Sequence, residues 1–296
     1  MLHHSPDPGI DCRLTDSRRW WQALSAPELR LVISDDALEV FQFQRSWHPG
    51  GRLQMTHHQR YDLPGNAQDV LPPEALWQTL HAVLPALAGQ RWHVVVVLSN
   101  QYARWLVLPW QAEVRSQADQ TAYYRHGLQQ AFASDMQDWQ IRVQAGGYGQ
   151  HSLLTALPAA LIEKLQVVLA EHGLLPGIIA PAWQLAANQA LHVMRQHGLP
   201  ADGWIVCRES GSLTVACLMQ GDWQHIRQVP VDAQWQQTLH QLLLREQVMY
   251  PARAALPVFL PQLQASGVSR QSLMPFEVVD VPSSSKLLAS DQQRAS

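Results

Sequence analysis

The sequence predicts an α/β protein in which one plan of strands and helices is used twice. Two stretches carry that reading. Leu29–Leu63 and Trp204–Val229 each offer three successive strand-like segments separated by short polar turns. After each, a helix-period segment leads to a further short apolar strand, Val94–Leu98 in the first case and Pro257–Leu260 in the second. Composition agrees: a chain of 296 residues, 47% hydrophobic and 15% charged, can bury a sizeable core.

In chain order, residues 1–28 read as an irregular extension containing His3-His4, Pro6, Pro8 and an Arg18-Arg19-Trp20-Trp21 cluster. Leu31-Val32-Ile33 is the first strand. Ser34-Asp35-Asp36 reads as a turn, because short Ser and Asp side chains bond back to their own backbone. Leu38, Val40, Phe41 and Phe43 mark a second strand, and after Pro49-Gly50-Gly51 a third runs through Leu53–Leu63. Pro72-Pro73 opens a helix in which Leu76, Leu80, Val83, Leu84 and Leu87 recur at helical spacing, and Gly89 closes it. The unbroken run Val94–Leu98 predicts a central strand buried on both faces.

Tyr102–Leu108 predicts another strand, followed by a helix from about Ala112 to Ala133. Trp139–Gln144, a Gly146-Gly147-Tyr148-Gly149 turn and His151–Ala156 complete a small α+β insertion over about residues 101–156. A helix through Leu161, Leu165, Val168 and Leu169, capped by Gly173, then a short strand at Ile178-Ile179, resume the first half. A helix carrying Trp183, Ala187, Leu191 and Met194 ends it at Gly198. From Trp204 the pattern restarts with three strands and a helix through Trp235, Leu239, Leu242 and Leu243. Pro257–Leu260, a short helix at Gln262–Ala265 and a last strand at Phe276–Val281 follow. The expected division is an extension (1–28), a first half (29–200), a shortened second half (201–282) and a loose tail (283–296).

Charge and cysteine usage narrow the function classes. A formal net charge of −3 and a pI near 6.5 give no general attraction to nucleic acid or anionic membrane. Cys12, Cys207 and Cys217 make neither a disulfide framework nor a metal-ligand spacing, which fits a reducing compartment. No apolar run approaches the roughly 18 residues of a membrane span, and the N-terminus lacks a signal-peptide block. A cytoplasmic protein without a span of its own is expected. The twelve tryptophans are expected to fill cores and small interfaces.

Chemical motifs are sparse. The glycine cluster at Gly146–Gly149 lies between two strands with no helix following at once, so it reads as a hairpin turn rather than a dinucleotide fingerprint. The pairs His57-His58 and Glu171-His172 have no second half at metal-ligand spacing. No Gly-x-Ser-x-Gly elbow or His-Glu-x-x-His occurs, and neither a catalytic residue nor a metal site is expected. Arg208-Glu209-Ser210-Gly211-Ser212 stays open to two readings, since a Ser/Gly turn between strands either cradles a phosphate or simply closes a hairpin.

The duplicated order of elements is similar to the actin-like (ribonuclease H-like) ATPase fold, with two mixed sheets covered by helices and a small α+β insertion in the first half. The chain more specifically resembles PilM-type pilus assembly proteins and the cytoplasmic part of GspL-type secretion proteins. Leu31–Phe43, the run from Val94 through Asn100 to Trp105 and on to Leu108-Pro109-Trp110, Leu157–Leu161 and Trp204–Val229 carry the likeness, which covers roughly residues 29–282.

The resemblance implies phosphate-gripping hairpin turns, at Ser34 and Asp35 and at Ser210, Gly211 and Ser212, with ATP and Mg as the cofactors if nucleotide binding is retained. The chain departs from that pattern. Its first turn has no glycine, Cys207 and Glu209 stand where an Asp and a Gly are expected, and Pro261-Gln262 replaces a glycine pair. Side chains then crowd the path of a phosphate, and the carboxylates of Asp36 and Glu209 repel it.

The leading expectation is therefore a non-enzymatic scaffold of a type IV pilus or type II secretion inner-membrane platform. The resemblance implies that it binds the cytoplasmic tail of an inner-membrane partner beside the 101–156 insertion, with a motor ATPase as a further candidate. Such a protein is peripheral to the inner membrane only through that partner. The alternatives are an ATP-binding actin-like protein and an interaction module unrelated to pili.

Overall fold

The computed structural model describes residues 27–45, 53–64, 71–114, 116–133, 135–253, 255–261 and 273–281. In the first half the elements are β1 (Glu28–Ile33), β2 (Ala37–Arg45), β3 (Leu53–Asp62), α1 (Glu74–Val83) and β4 (His93–Leu98). Next come β5 (Arg104–Leu108), α2 (Gln117–Phe132), β6 (Trp139–Gln144), β7 (Ser152–Pro158), α3 (Ala159–Glu171), β8 (Pro176–Pro181) and α4 (Ala182–Gln196). The second half holds β9 (Gly203–Glu209), β10 (Ser212–Met219), β11 (Asp222–Pro230), α5 (Trp235–Met249), β12 (Val258–Pro261) and β13 (Val278–Val281).

The duplication is visible in the sheets. One has the order β3-β2-β1-β4-β8, the other β11-β10-β9-β12-β13, and a three-stranded sheet has the order β5-β7-β6. In each five-stranded sheet the first three strands of its half pair antiparallel and the last two run parallel to the first. Parallel neighbours require crossovers, and α1 and α5 supply them before β4 and β12. Between Gln220 and Gly221 the β10–β11 hairpin turns on two residues with left-handed φ of 53° and 76°, the geometry that matches strand twist.

Strand periodicity decides which core each side chain joins. In β9, Trp204 and Val206 point one way and pack with Trp235, Leu239 and Leu243 of α5. Ile205 and Cys207 point the other way, into a larger core shared with Leu29, Val96, Leu76, Leu165 and Ala186 of the first half. The two halves are thus joined by one continuous apolar core, with α4 packed on β9 and β12. Leu76, Leu80 and Leu84 are fully buried, each worth about 1.5–3 kcal/mol of apolar burial.

The insertion has its own small core of Leu128, Met136, Leu154 and Ala156. Two sequence expectations shift here. Tyr102 belongs to a 3₁₀ turn, Asn100–Tyr102, rather than to β5. Helix α2 starts after Ser116, whose hydroxyl accepts from the Asp119 N–H at 3.0 Å while the Asp119 carboxylate accepts from the Ser116 N–H, a capping box. That box places the helix start at Gln117, beyond Ala112. The segments 1–26, Pro49-Gly50-Gly51, Gln262–Ala265 and the tail from Ser283 lie outside the described residues.

Candidate functional site

Two places deserve the name: the junction where both hairpin turns meet, and a groove beside the insertion. At the junction, Asn100 follows β4 and is wholly buried. Its backbone N–H donates to Glu209 Oε2 at 2.8 Å, its side-chain oxygen accepts from the Trp183 backbone N–H at 2.8 Å, and its side-chain amide donates to Cys207 Sγ at 3.6 Å. One side chain therefore ties the end of β4 to the start of α4 and to β9 of the second half. Glu209 reaches this point because it continues the Ile205, Cys207 face of β9 at a period of two. That alternation was the available signal in the sequence; the polar neighbours Ser210, Gly211 and Ser212 obscured it.

The junction is electrostatically unusual. Burial pushes the Glu209 carboxyl up to about 7, against the bonds from Asn100 and Ser99 that favour its charged form, and nearby Asp35 adds to the rise. Asp35 is itself raised, by burial and by Asp36. Burial carries the Tyr102 hydroxyl to about 12, and that hydroxyl sits 3.5 Å from the Ser34 carbonyl oxygen. The Cys207 thiol is held well above its ordinary value by burial and by Glu209, an inert buried sulfur.

The fold brings the residues of the first turn to this junction but occupies them locally. The Ser34 hydroxyl lies 2.9 Å from Asp36 Oδ1 and 3.0 Å from the Ala37 carbonyl, while Arg60 bonds the other Asp36 oxygen at 3.0 Å. In the second turn Ser210 and Gly211 are exposed, with Gly211 at a φ of +73°, and Ser212 is half-buried. What the second half sends to the junction is Glu209. With Asp35, Asp36 and Glu209 gathered there, and the Asn100 N–H already bonded to a carboxylate, the residues present do not fit a nucleoside triphosphate.

The groove lies between the insertion and the body of the protein. A cavity of about 390 Å³ is bounded by Trp105 of β5, Arg142 and Val143 of β6, Thr155 of β7, Trp183 and Asn188 of α4, and Trp223 of β11. A second cavity of about 110 Å³ shares Arg142, Thr155 and Gln184 with it and extends to Pro176, Gly177 and Ile179 of β8. Among the described residues β6 and β8 are both edge strands of their sheets, with no strand partner along one side. Arg142 is, among the described residues, the only ionisable one lining either cavity.

Three indoles pack behind this groove. Trp105, Trp183 and Trp223 form a ladder of edge-on contacts, with centroids 4.9 and 5.3 Å apart. The ring N–H groups of Trp105 and Trp183 are buried and find no acceptor among the described residues. The far wall is fixed by His151 of the insertion, whose N–H and Nδ1 contact the Asp222 carboxylate at 3.0 and 2.6 Å.

This architecture defines the class: the chain has the actin-like ATPase fold, with two mixed five-stranded sheets and a small antiparallel insertion. Among solved structures it is similar to the cytoplasmic domain of EpsL, an inner membrane component of the type II secretion system of Vibrio cholerae. That match has 16% identity and a TM-score of 0.55, covering 92% of this chain and 96% of that one. It is also similar to the PilM–PilN type IV pilus biogenesis complex, at 14% identity and a TM-score of 0.60, over 92% and 94% of the two chains. A Bacteroides thetaiotaomicron protein with an actin-like ATPase fold and unknown function matches at 10% identity, a TM-score of 0.55 and 90% and 96% coverage. No protein-family model matches the chain, and no curated protein matches its sequence.

Proposed function

We propose that the chain is a non-enzymatic scaffold of a type IV pilus or type II secretion inner-membrane platform, and that it receives an extended cytoplasmic segment of a membrane partner. The observation that carries this reading is the groove between edge strands β6 and β8, walled by Trp105, Trp183 and Trp223 and carrying Arg142. An extended peptide supplies backbone groups for a sheet edge. Arg142 favours a peptide with an acidic side chain. The likeness to a PilM–PilN complex and to a cytoplasmic domain of a secretion component supports this direction. The protein works in the cytoplasm on this reading and meets the inner membrane through its partner; among the described residues no helix is long and apolar enough to cross a membrane.

The crowded junction supports the absence of ATP chemistry. On this reading Ser34, Asp35, Ser210, Gly211 and Ser212 serve as hairpin closures rather than as ligands to phosphate. The test is an affinity pull-down from detergent-solubilised membranes of the source cell. The wild-type chain is expected to recover a protein with one membrane span, and Arg142→Glu and Thr155→Trp, which reverse the charge and fill the groove, are expected to lose it. Recovery that is unchanged by both substitutions contradicts the groove as the binding place.

A further inference from the structure

The fold brings together three metal-capable side chains that sequence spacing leaves apart. His81 lies near the C-terminal end of α1, Glu171 is the last residue of α3, and His172 is the residue after it. His81 Nδ1 is 3.5 Å from His172 Nε2 and 3.9 Å from Glu171 Oε2, and one ligand atom from each of the three lies within 4.8 Å of the others. The two imidazoles meet edge-on at 64°, with centroids 5.7 Å apart, so their ring nitrogens approach without stacking.

The helices beneath hold this arrangement. α1 and α3 run side by side in the same direction: Lys164 bonds Glu74 at 3.3 Å and sits 4.3 Å above the Trp77 ring, two turns before the His81 and Glu171 level on each helix. Leu76 and Leu80 of α1 and Leu161 and Leu165 of α3 are buried in the core below. The negative ends of the helix dipoles therefore point toward the three side chains, which favours a cation there.

We propose that His81, Glu171 and His172 form a surface site for a divalent transition-metal ion, with zinc as the fitting ion. Two nitrogens about 2.0–2.1 Å from a tetrahedral zinc lie about 3.4 Å apart, close to the imidazole separation found here. Two imidazoles and one carboxylate suit zinc and its neighbours and disfavour magnesium and calcium, which take oxygen ligands. His81 and Glu171 are about half exposed, 48% and 54% for their side chains, so the carboxylate can close the remaining distance without disturbing the core. The bound ion staples the ends of α1 and α3 and keeps a fourth position open to solvent. This inference is independent of the groove.

The other adjacent pair offers no such site. His57 and His58 are successive residues of β3 and point to opposite faces, with His58 bonded to Glu39 at 2.9 Å.

The test is zinc binding by the purified full-length chain after chelator treatment, read by competition with a chromophoric zinc chelator. One zinc per chain is expected, with at least about a tenfold loss of affinity in His81→Ala and in His172→Ala. The double variant His3→Ala, His4→Ala is expected to keep the site. Zinc is also expected to raise the melting temperature of the wild type but not of His81→Ala, and cobalt to give the visible absorption of a four-coordinate ion. His81 is exposed and His172 half-buried at the helix end, and circular dichroism checks directly that both variants fold. No zinc above the chelator control, or binding unchanged in both single histidine variants, overturns the proposal.

Discussion

The backbone N–H of Asn100 donates to the carboxylate of Glu209 at 2.8 Å, across the boundary between the two repeated halves. Glu209 is an internal anion set at a turn of the first half, and it makes the junction sensitive to pH. Its folded-state value is about 7 and its ordinary value 4.5. The folded protein therefore holds the extra proton between these values. The Glu209 contribution is fully present below about pH 4.5 and is lost as pH rises through about 7. Asp35, raised for the same reason, acts in the same sense.

Glu209→Gln keeps an acceptor for Asn100 and removes the titration. Urea unfolding of wild type and variant at about pH 5 and about pH 8 is expected to show the variant gaining on the wild type at the higher pH, by roughly 2–3 kcal/mol. Taking the difference between the two proteins at each pH cancels groups such as His225. Burial lowers that histidine's value, so its contribution is present above the ordinary histidine range and falls away with acid. An equal gap at both pH values would show that Glu209 does not titrate in this window.

Asn100→Ala removes two side-chain bonds that join three elements and leaves a buried void. A loss of about 2–4 kcal/mol is expected in the same unfolding experiment. In a Cys12→Ser background, Cys207 should also react faster with a thiol reagent, located by mass spectrometry. A variant as stable as wild type, with unchanged Cys207 reactivity, would remove Asn100 from its joining role.

On the far side of the second sheet, Glu246 of α5 is buried and bonds Arg253 at 2.8 Å, with His225 beside both. Glu246→Ala leaves the Arg253 guanidinium without its anion in a nearly buried place. The expected destabilisation is about 3–5 kcal/mol, several times that of a typical exposed ion pair such as Lys164 with Glu74. Parallel unfolding of Glu246→Ala and Lys164→Ala checks the ranking.

Calorimetric titration with Mg-ATP at millimolar concentration is expected to give no binding heat. A saturable heat near one equivalent would restore the reading in which Ser34, Asp35, Ser210, Gly211 and Ser212 surround a phosphate.

The sequence revealed the scaffold better than the sites. Val94–Leu98 announced a buried parallel strand through its unbroken β-branched run, and the turns at Ser34–Asp36 and Gln220–Gly221 announced their hairpins. These are local signals. The groove is not local: Trp105, Arg142, Thr155, Trp183 and Trp223 come from five elements, and only the packing of the insertion on α4 and β11 brings them together. The metal-capable cluster depends likewise on a contact between residues 91 positions apart. Glu209 was misleading for another reason. Its place beside Ser210-Gly211 suggested an exposed turn, while its period with Ile205 and Cys207 placed its carboxylate inside.

The central claim is that a membrane partner's segment lies in the groove between the insertion and the body of the protein. A photo-crosslinking benzophenone amino acid at Val143, in the groove wall, tests it most directly when compared with the same residue at Val248, exposed on α5. Irradiation in the source cell is expected to join an integral membrane protein to position 143 and not to position 248. Adducts with soluble proteins alone, or equal membrane-protein adducts from both positions, would contradict the account.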